Sequence, residues 1–173
     1  CTATIHTRED LKNYLLFTLK WPDLEFLIET YLIGPHCQIE ALVADGKIIY
    51  DFVWYQPVYY DHLDANRCWG VVTLPFDSEI YQKSHEAIEK FVKVLPHCNY
   101  AAMWLEFIFM NGEVYALEAA KRPSEPPCPS LFKRFTGINL EEAHVKLSLG
   151  RSDFYVPPPR TFLKHAALMV YYN

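Results

Sequence analysis

The stretch that most constrains this chain runs from Ala101 to Arg122, AAMWLEFIFMNGEVYALEAAKR. Two apolar segments flank Asn111-Gly112, a pair that favours the tight turn of a β-hairpin because both residues tolerate positive φ. Each segment carries one carboxylate in otherwise apolar company, Glu106 in the first and Glu118 in the second. A strand of Phe, Leu, Ile and Met gains no stability from a carboxylate, and burying one unpaired costs on the order of several kcal/mol. Each glutamate must therefore meet a cation or a hydrogen-bond donor, and Lys121 and Arg122 follow directly. The pattern points to a divalent metal and an anion held side by side.

Whether the two glutamates can share one ion depends on the turn. A two-residue loop pairs Met110 with Glu113 and hence Glu106 with Leu117, which sets the carboxylates on opposite faces of the sheet. A three-residue loop, Met110-Asn111-Gly112, pairs Phe109 with Glu113 and brings Glu118 diagonal to Glu106 on one face, ~7–8 Å away. A shared metal thus requires the longer loop. The alternative is that one glutamate points to solvent and the other pairs with Lys121 or Arg122.

The rest of the chain reads as a mixed α+β domain. Thr7 caps a helix to Lys20, with Asp10 in the capping-box position, and Trp21-Pro22 ends it. Three strands are predicted next, Glu25 to Leu32, Cys37 to Ala44 and Lys47 to Gln56, broken at Gly34-Pro35 and at the hairpin signal Asp45-Gly46. Strict alternation in the second puts Cys37, Ile39, Ala41 and Val43 on one face and Gln38, Glu40 and Leu42 on the other. Residues 57 to 66 form a polar and aromatic loop, a connection or a lid, and Arg67 to Leu74 is a further strand. Ser78 opens a helix whose apolar stripe runs from Ile80 to Leu95. After the central hairpin, a Pro-rich turn leads to a short helix around Leu131 to Phe135 and a second one capped by Asn139. Phe154 to Pro159 is extended, and Thr161 to Tyr172 begins another apolar element. Beyond the first helix the order is β-β-β-β-α-β-β-α-α, that of an antiparallel sheet with flanking helices.

Composition removes several function classes. Net charge is -5 with no basic stripe, which argues against nucleic acid as a partner. Cys1, Cys37, Cys68, Cys98 and Cys128 are widely spaced and form no C-x-x-C, so neither a zinc site nor a disulfide framework is indicated. No apolar run reaches the ~20 residues of a membrane span, and no signal-peptide pattern is present, so a cytoplasmic setting without membrane partners is expected. No P-loop, dinucleotide fingerprint, G-x-S-x-G or H-E-x-x-H occurs. A chain that starts at Cys1 and stops within HAALMVYYN is expected to be part of a longer protein.

Three segments together resemble one family. LEFIFMNGEVYALEAAKRPSE is similar to the metal and triphosphate segment of ATP-grasp enzymes, FLIETYLIGPHCQIEALVADGKII to the part that lines the adenine pocket, and FKRFTGINLEEAHVKLSLG to the helical passage that follows. Their order and spacing match as well. The resemblance implies an ATP-grasp-like α+β fold lacking its N-terminal portion. Residues 1–151 would be the C-terminal part of the ATP-grasp domain, and 152–173 would start a small lobe like that of the amino-acid-ligase and carnosine-synthase-like branch. It further implies ATP and Mg²⁺ as cofactors. Glu106 and Glu118 would be the metal ligands, Arg122 would be the catalytic contact to the triphosphate or acyl phosphate, and Glu29, Tyr31 and Leu32 would lie at the adenine and ribose. The implied activity is a ligase joining a small-molecule carboxylate to an amine, completed by the polypeptide N-terminal to Cys1. One departure stands out. The family commonly reads E-x-N-x-R at its second glutamate, and here Ala120 stands in place of the asparagine. A non-catalytic ATP-grasp module with a nucleotide-binding, regulatory or structural role is therefore the second expectation. A protein-interaction surface on the aromatic run from Trp54 to Tyr60 is the third.

Overall fold

The computed structural model describes residues 3–56, 68–95, 97–126, 128–158, 160–161 and 165–171. The expected loop at 57–66 falls outside these. Contacts divide the chain into two units, Cys1–Leu32 and Ile33–Asn173.

In the first unit, helix α1 spans Arg8–Thr18. The Thr7 hydroxyl accepts from the Asp10 amide, and the Asp10 carboxylate accepts from the Thr7 amide at 2.8 Å, closing the expected capping box. Aromatic edges tie the helix to the chain that follows: Phe17 meets Trp21 at 4.7 Å between centroids, and Tyr14 meets Phe26 at 6.1 Å. The strand expected over Glu25 to Leu32 does not form. A strand needs a partner for its amides and carbonyls, and this segment is not a member of the sheet; Leu27 and Ile28 are more than four-fifths exposed.

The second unit is built on one sheet. Its strands are β1 (His36–Ala44), β2 (Lys47–Gln56), β3 (Cys68–Thr73), β4 (Ala101–Met110), β5 (Glu113–Ala120) and β6 (Ala167–Tyr171). Every neighbouring pair is antiparallel in the order β5-β4-β1-β2-β3-β6. The helices are α2 (Glu79–Val94), α3 (Cys128–Thr136) and α4 (Leu140–Ser148). The segment expected to start a C-terminal lobe supplies β6 to this sheet, and the Tyr50 hydroxyl donates to the Thr161 carbonyl at 2.8 Å.

Alternation divides the core as the sequence predicts. Cys37, Ile39, Ala41 and Val43 of β1 join Met103, Leu105 and Phe107 of β4 under Tyr81, Ile88 and Val92 of α2. On the other face, Leu42, Phe52, Trp54 and Ala102 pack beneath Phe132 and Phe135 of α3 and Leu140, Ala143 and Leu147 of α4. Trp54 is 1% exposed and belongs to this core, while residues 57–60 of the expected aromatic interaction run lie outside the described residues. Cys37, Cys98 and Cys128 are buried free thiols. Among the described residues, no helix is long and apolar enough to cross a membrane.

Beneath α2 lies one polar cluster. The Tyr81 hydroxyl donates to Asp51 Oδ1 and His85 Nδ1 lies against Asp51 Oδ2, both at 2.7 Å. A carboxylate only accepts, so Nδ1 carries the proton there. That hydrogen bond raises the His85 pKa above its ordinary value.

Gly34, read in the sequence as a break, is required for space. A Cβ on it would run into the Phe109 carbonyl oxygen where β4 passes, and the Phe109 amide donates to the Pro35 carbonyl at 2.9 Å. Gly34→Ala should therefore destabilise the protein by about 1–3 kcal/mol, because backbone must move to admit the methyl. A urea midpoint that does not fall would show that this approach is dispensable.

Candidate functional site

The site is assembled by β1, β4 and β5 on the face shared with α3 and α4. The turn at Asn111-Gly112 has two residues, with φ of 54° and 77°, and Met110 pairs with Glu113. The three-residue loop that a shared ion requires on a regular ladder is therefore not present. In its place the ladder contains a β-bulge. Phe107 pairs with Ala116 while Glu106 pairs with Glu118, so Leu117 is an extra residue that shifts everything beyond it by one. Glu118 lands directly opposite Glu106 on the same face, closer than the diagonal arrangement would have put it. The parity condition is met by a bulge, not by the turn.

Like charges placed directly opposite in a sheet repel, so this pairing is unfavourable by itself. Local donors offset part of the cost. Gln38 of β1, 4% exposed and cross-strand from Glu106, donates its amide to Glu106 Oε1 at 3.0 Å. The Trp104 indole donates at 3.5 Å to the Gln38 side-chain oxygen, which fixes the amide's orientation. His36 Nε2 lies 3.7 Å from Glu106 Oε2. Glu106 is thus nearly enclosed, with a side chain 14% exposed, while Glu118 on the edge strand is open to solvent. This leaves a carboxylate pair with one held member and one accessible member.

The next row of the same face reads Phe52, Glu40, Trp104, Ala120 across four strands. Glu40 is 2% exposed, and burial pushes its carboxyl up to about 7 despite hydrogen bonding to Ser124 and the Arg122 charge. Its Oε1 accepts the Ser124 amide at 2.9 Å. Arg122 lies over the Trp104 ring, 5.3 Å from its centroid. Lys121, the other cation after the hairpin, donates to the His97 carbonyl at 2.7 Å.

Of the expected site residues, the structure brings Glu106, Glu118 and Arg122 onto or beside one face of the second unit. Glu29, Tyr31 and Leu32 lie in the first unit, outside any strand, with Tyr31 49% exposed. Gln38, Trp104 and Glu40 were not anticipated. The signal for two of them was available, since a fully buried strand that alternates His36, Gln38 and Glu40 against Cys37, Ile39 and Ala41 must satisfy three polar side chains.

The donor set suits a hard cation. Two carboxylates with no thiolate suit hard ions such as Mg²⁺, Ca²⁺ or Mn²⁺ over softer ones, and Mg²⁺ in general is held by one or two carboxylates with phosphate and water completing its shell. Among the described residues no group of three or more His, Cys, Asp or Glu side chains is placed to hold a metal ion. The Ala120 methyl, next to Glu118 on this face, offers no further donor.

No protein-family model matches the sequence. Among solved structures, the chain is similar to phosphoribosylglycinamide synthetase from Anaerococcus prevotii, with 18% identity, a TM-score of 0.61, and 84% of this chain and 37% of that one covered. It is similar to L-amino acid ligase from Bacillus licheniformis at 16% identity and TM-score 0.60, covering 79% of this chain and 33% of that one. Glycinamide-RNase-transformylase T from Mycobacterium tuberculosis matches at 12% identity and TM-score 0.55, with 92% and 52% covered. The chain therefore spans between 33% and 52% of the length of these proteins. Likeness at such identities is likeness of fold, and the fold of this chain, over the part that it spans, is that of the ATP-grasp enzymes.

Proposed function

We propose that this chain supplies the Mg²⁺ and triphosphate side of the active site of an ATP-dependent ligase that joins a carboxylate to an amine. One observation carries the reading. A bulge at Leu117, on an edge strand, sets two carboxylates in direct register, an arrangement that costs stability unless a cation sits between them.

Glu106 and Glu118 would hold Mg²⁺, which when bound supplies positive charge to the triphosphate oxygens. The chain's own residues do the remainder. Gln38 occupies Glu106 Oε1, so that this carboxylate is fixed before any ligand arrives. Arg122, over the Trp104 ring, would offer phosphate oxygens the guanidinium N–H groups that Pro123 and Glu125 do not take, and would stabilise charge on the transferring phosphoryl group. In the implied reaction, a substrate carboxylate oxygen attacks the γ-phosphorus and ADP leaves. The amine nitrogen then attacks the acyl carbon, phosphate departs, and the amine's proton is lost. Glu29, Tyr31 and Leu32 remain the residues proposed for the adenine and ribose, and the groups that hold both substrates would come from the remainder of a longer polypeptide, in keeping with the share of each longer enzyme that this chain covers.

Ala120 favours a second reading, a module that binds nucleotide without completing the transfer. Equilibrium binding of ATP to the intact protein, with and without Mg²⁺, tests the site itself. The wild type should bind more tightly with Mg²⁺, and Glu118→Ala should lose about 100-fold of that gain, ~2.7 kcal/mol. No nucleotide affinity in the wild type, or no loss in the variant, rules the site out. Binding without release of phosphate, in the presence of a range of carboxylates and amines, selects the second reading.

A further inference from the structure

Arg122 is held by more than its place in the sequence. It leaves the sheet two residues after Ala120, in a turn that has no strand neighbour of its own. Its Nη1 donates to the Pro123 carbonyl at 2.9 Å, and Nη2 reaches Glu125 Oε1 at 3.4 Å. Glu125 is 80% exposed at its side chain, so that contact does little to fix the arginine. Two other contacts are better placed. Trp104 is half-buried in β4, and its ring receives the guanidinium. The cross-strand neighbour of Trp104 on β5 is Ala120, whose side chain is a single methyl. The neighbour of Trp104 on β1 is Glu40, whose carboxyl takes the buried amide of Ser124, two residues after Arg122.

We propose that Glu40 and Trp104 are positioning residues for Arg122, the carboxyl by tying the turn to β1 through the Ser124 amide and the indole by setting the direction in which the guanidinium leaves that turn. A guanidinium placed over an aromatic ring makes its hydrogen bonds at its edge; Pro123 and Glu125 each take one N–H of Arg122, and the remaining N–H groups are those that a phosphate would use. This also gives Ala120 a role: a larger side chain there would compete with the stack. The use of the cradle rests on the Mg²⁺-ATP reading, whereas its geometry exists without nucleotide and is tested that way.

The experiment is NMR of the intact protein labelled with ¹³C,¹⁵N-arginine, with the Arg122 side-chain signals assigned by their loss in Arg122→Lys. Stacking predicts an upfield ring-current shift of the Arg122 δ and ε protons in the absence of ligand. Trp104→Leu should abolish it, and Trp104→Phe should keep a reduced shift from the smaller ring. Glu40→Ala should collapse it towards the free-arginine value, whereas Glu40→Gln, which still offers an oxygen to Ser124, should retain it. Ser124→Pro, which removes the amide donor together with the hydroxyl and fixes φ there, should act like Glu40→Ala and serves where that variant fails to fold. In the nucleotide arm, Kd for Mg²⁺-ATP should rise about tenfold in Trp104→Leu and Glu40→Ala and return towards wild type in the two conservative variants. An unshifted Arg122 in the wild type, or an unchanged shift in both Glu40→Ala and Ser124→Pro, overturns the proposal. The expected shifts in a protein that binds no nucleotide would uphold the cradle and remove the Mg²⁺-ATP reading alone.

Discussion

Exchanging Leu117 and Glu118, as the double variant Leu117→Glu/Glu118→Leu, should cost about as much Mg²⁺-dependent ATP affinity as Glu118→Ala, roughly 100-fold or ~2.7 kcal/mol. The exchange leaves composition, net charge and strand length untouched. It moves one carboxylate from the position opposite Glu106 to the extra position of the bulge, which has no partner on β4. Deleting Leu117 makes the opposite forecast. Without the extra residue the ladder becomes regular, and Glu118 follows Ala116 directly into the place opposite Glu106. That deletion should therefore keep most of the Mg²⁺ dependence, even though it shortens a strand beside the site. Leu117 is 51% exposed and its loss removes little buried surface, so folding should survive, as a retained circular-dichroism melt would show. If the exchange binds as the wild type does, the carboxylates do not share an ion. If the deletion abolishes binding while the exchange does not, the bulge has some role other than register.

Much of this fold was open to sequence reasoning, and the failures have physical causes. Asp45-Gly46 and Asn111-Gly112 announce two-residue turns because each pair accepts positive φ, and all four residues adopt it. Thr7, Ser78 and Asn139 cap helices as their side-chain chemistry dictates. The alternation of β1 separated its two faces correctly. By contrast, the segment Glu25 to Leu32 has a strand's composition and no strand to pair with, and composition carries no record of neighbours. The bulge at Leu117 is equally silent. A leucine at the extra position looks like any strand leucine, and with a regular ladder assumed, the only way to bring both glutamates to one face was to lengthen the turn. Glu106 and Glu118 were legible because charge is conspicuous among apolar residues. Trp104 was not, since a tryptophan in an apolar strand reads as core, and its contact with Arg122 arises only through pairing with β5. Glu40 sat on the polar side of the alternation, but its burial depends on the turn that follows β5 folding back over it.

Glu40 should also dominate how stability responds to pH. Its carboxyl titrates near 4.5 when unfolded and is pushed up to about 7 by burial in the folded chain. Between these values the folded state binds the proton more tightly, so stability is full below about 4.5, declines through the interval and levels off above about 7. The span of ~2.5 units corresponds to a loss of about 3 kcal/mol, a large share of what holds a domain of this size together. His85 acts in the same direction. Its raised pKa means that the bond to Asp51 contributes in full below the ordinary histidine range and is lost as pH rises through the folded value. Single substitutions separate the two groups. Glu40→Gln removes the titration and keeps an oxygen for the Ser124 amide, so it should match the wild type near pH 4.5 and exceed it by up to ~3 kcal/mol at pH 8. His85→Gln should leave the acid part of the profile intact and flatten only its upper part. Urea unfolding across this pH range measures both curves. A Glu40→Gln profile parallel to that of the wild type would mean that the carboxyl is ionised throughout, held by Arg122 and Ser124 more strongly than burial opposes it. The turn that carries Arg122 would then be anchored by a full charge across this pH range.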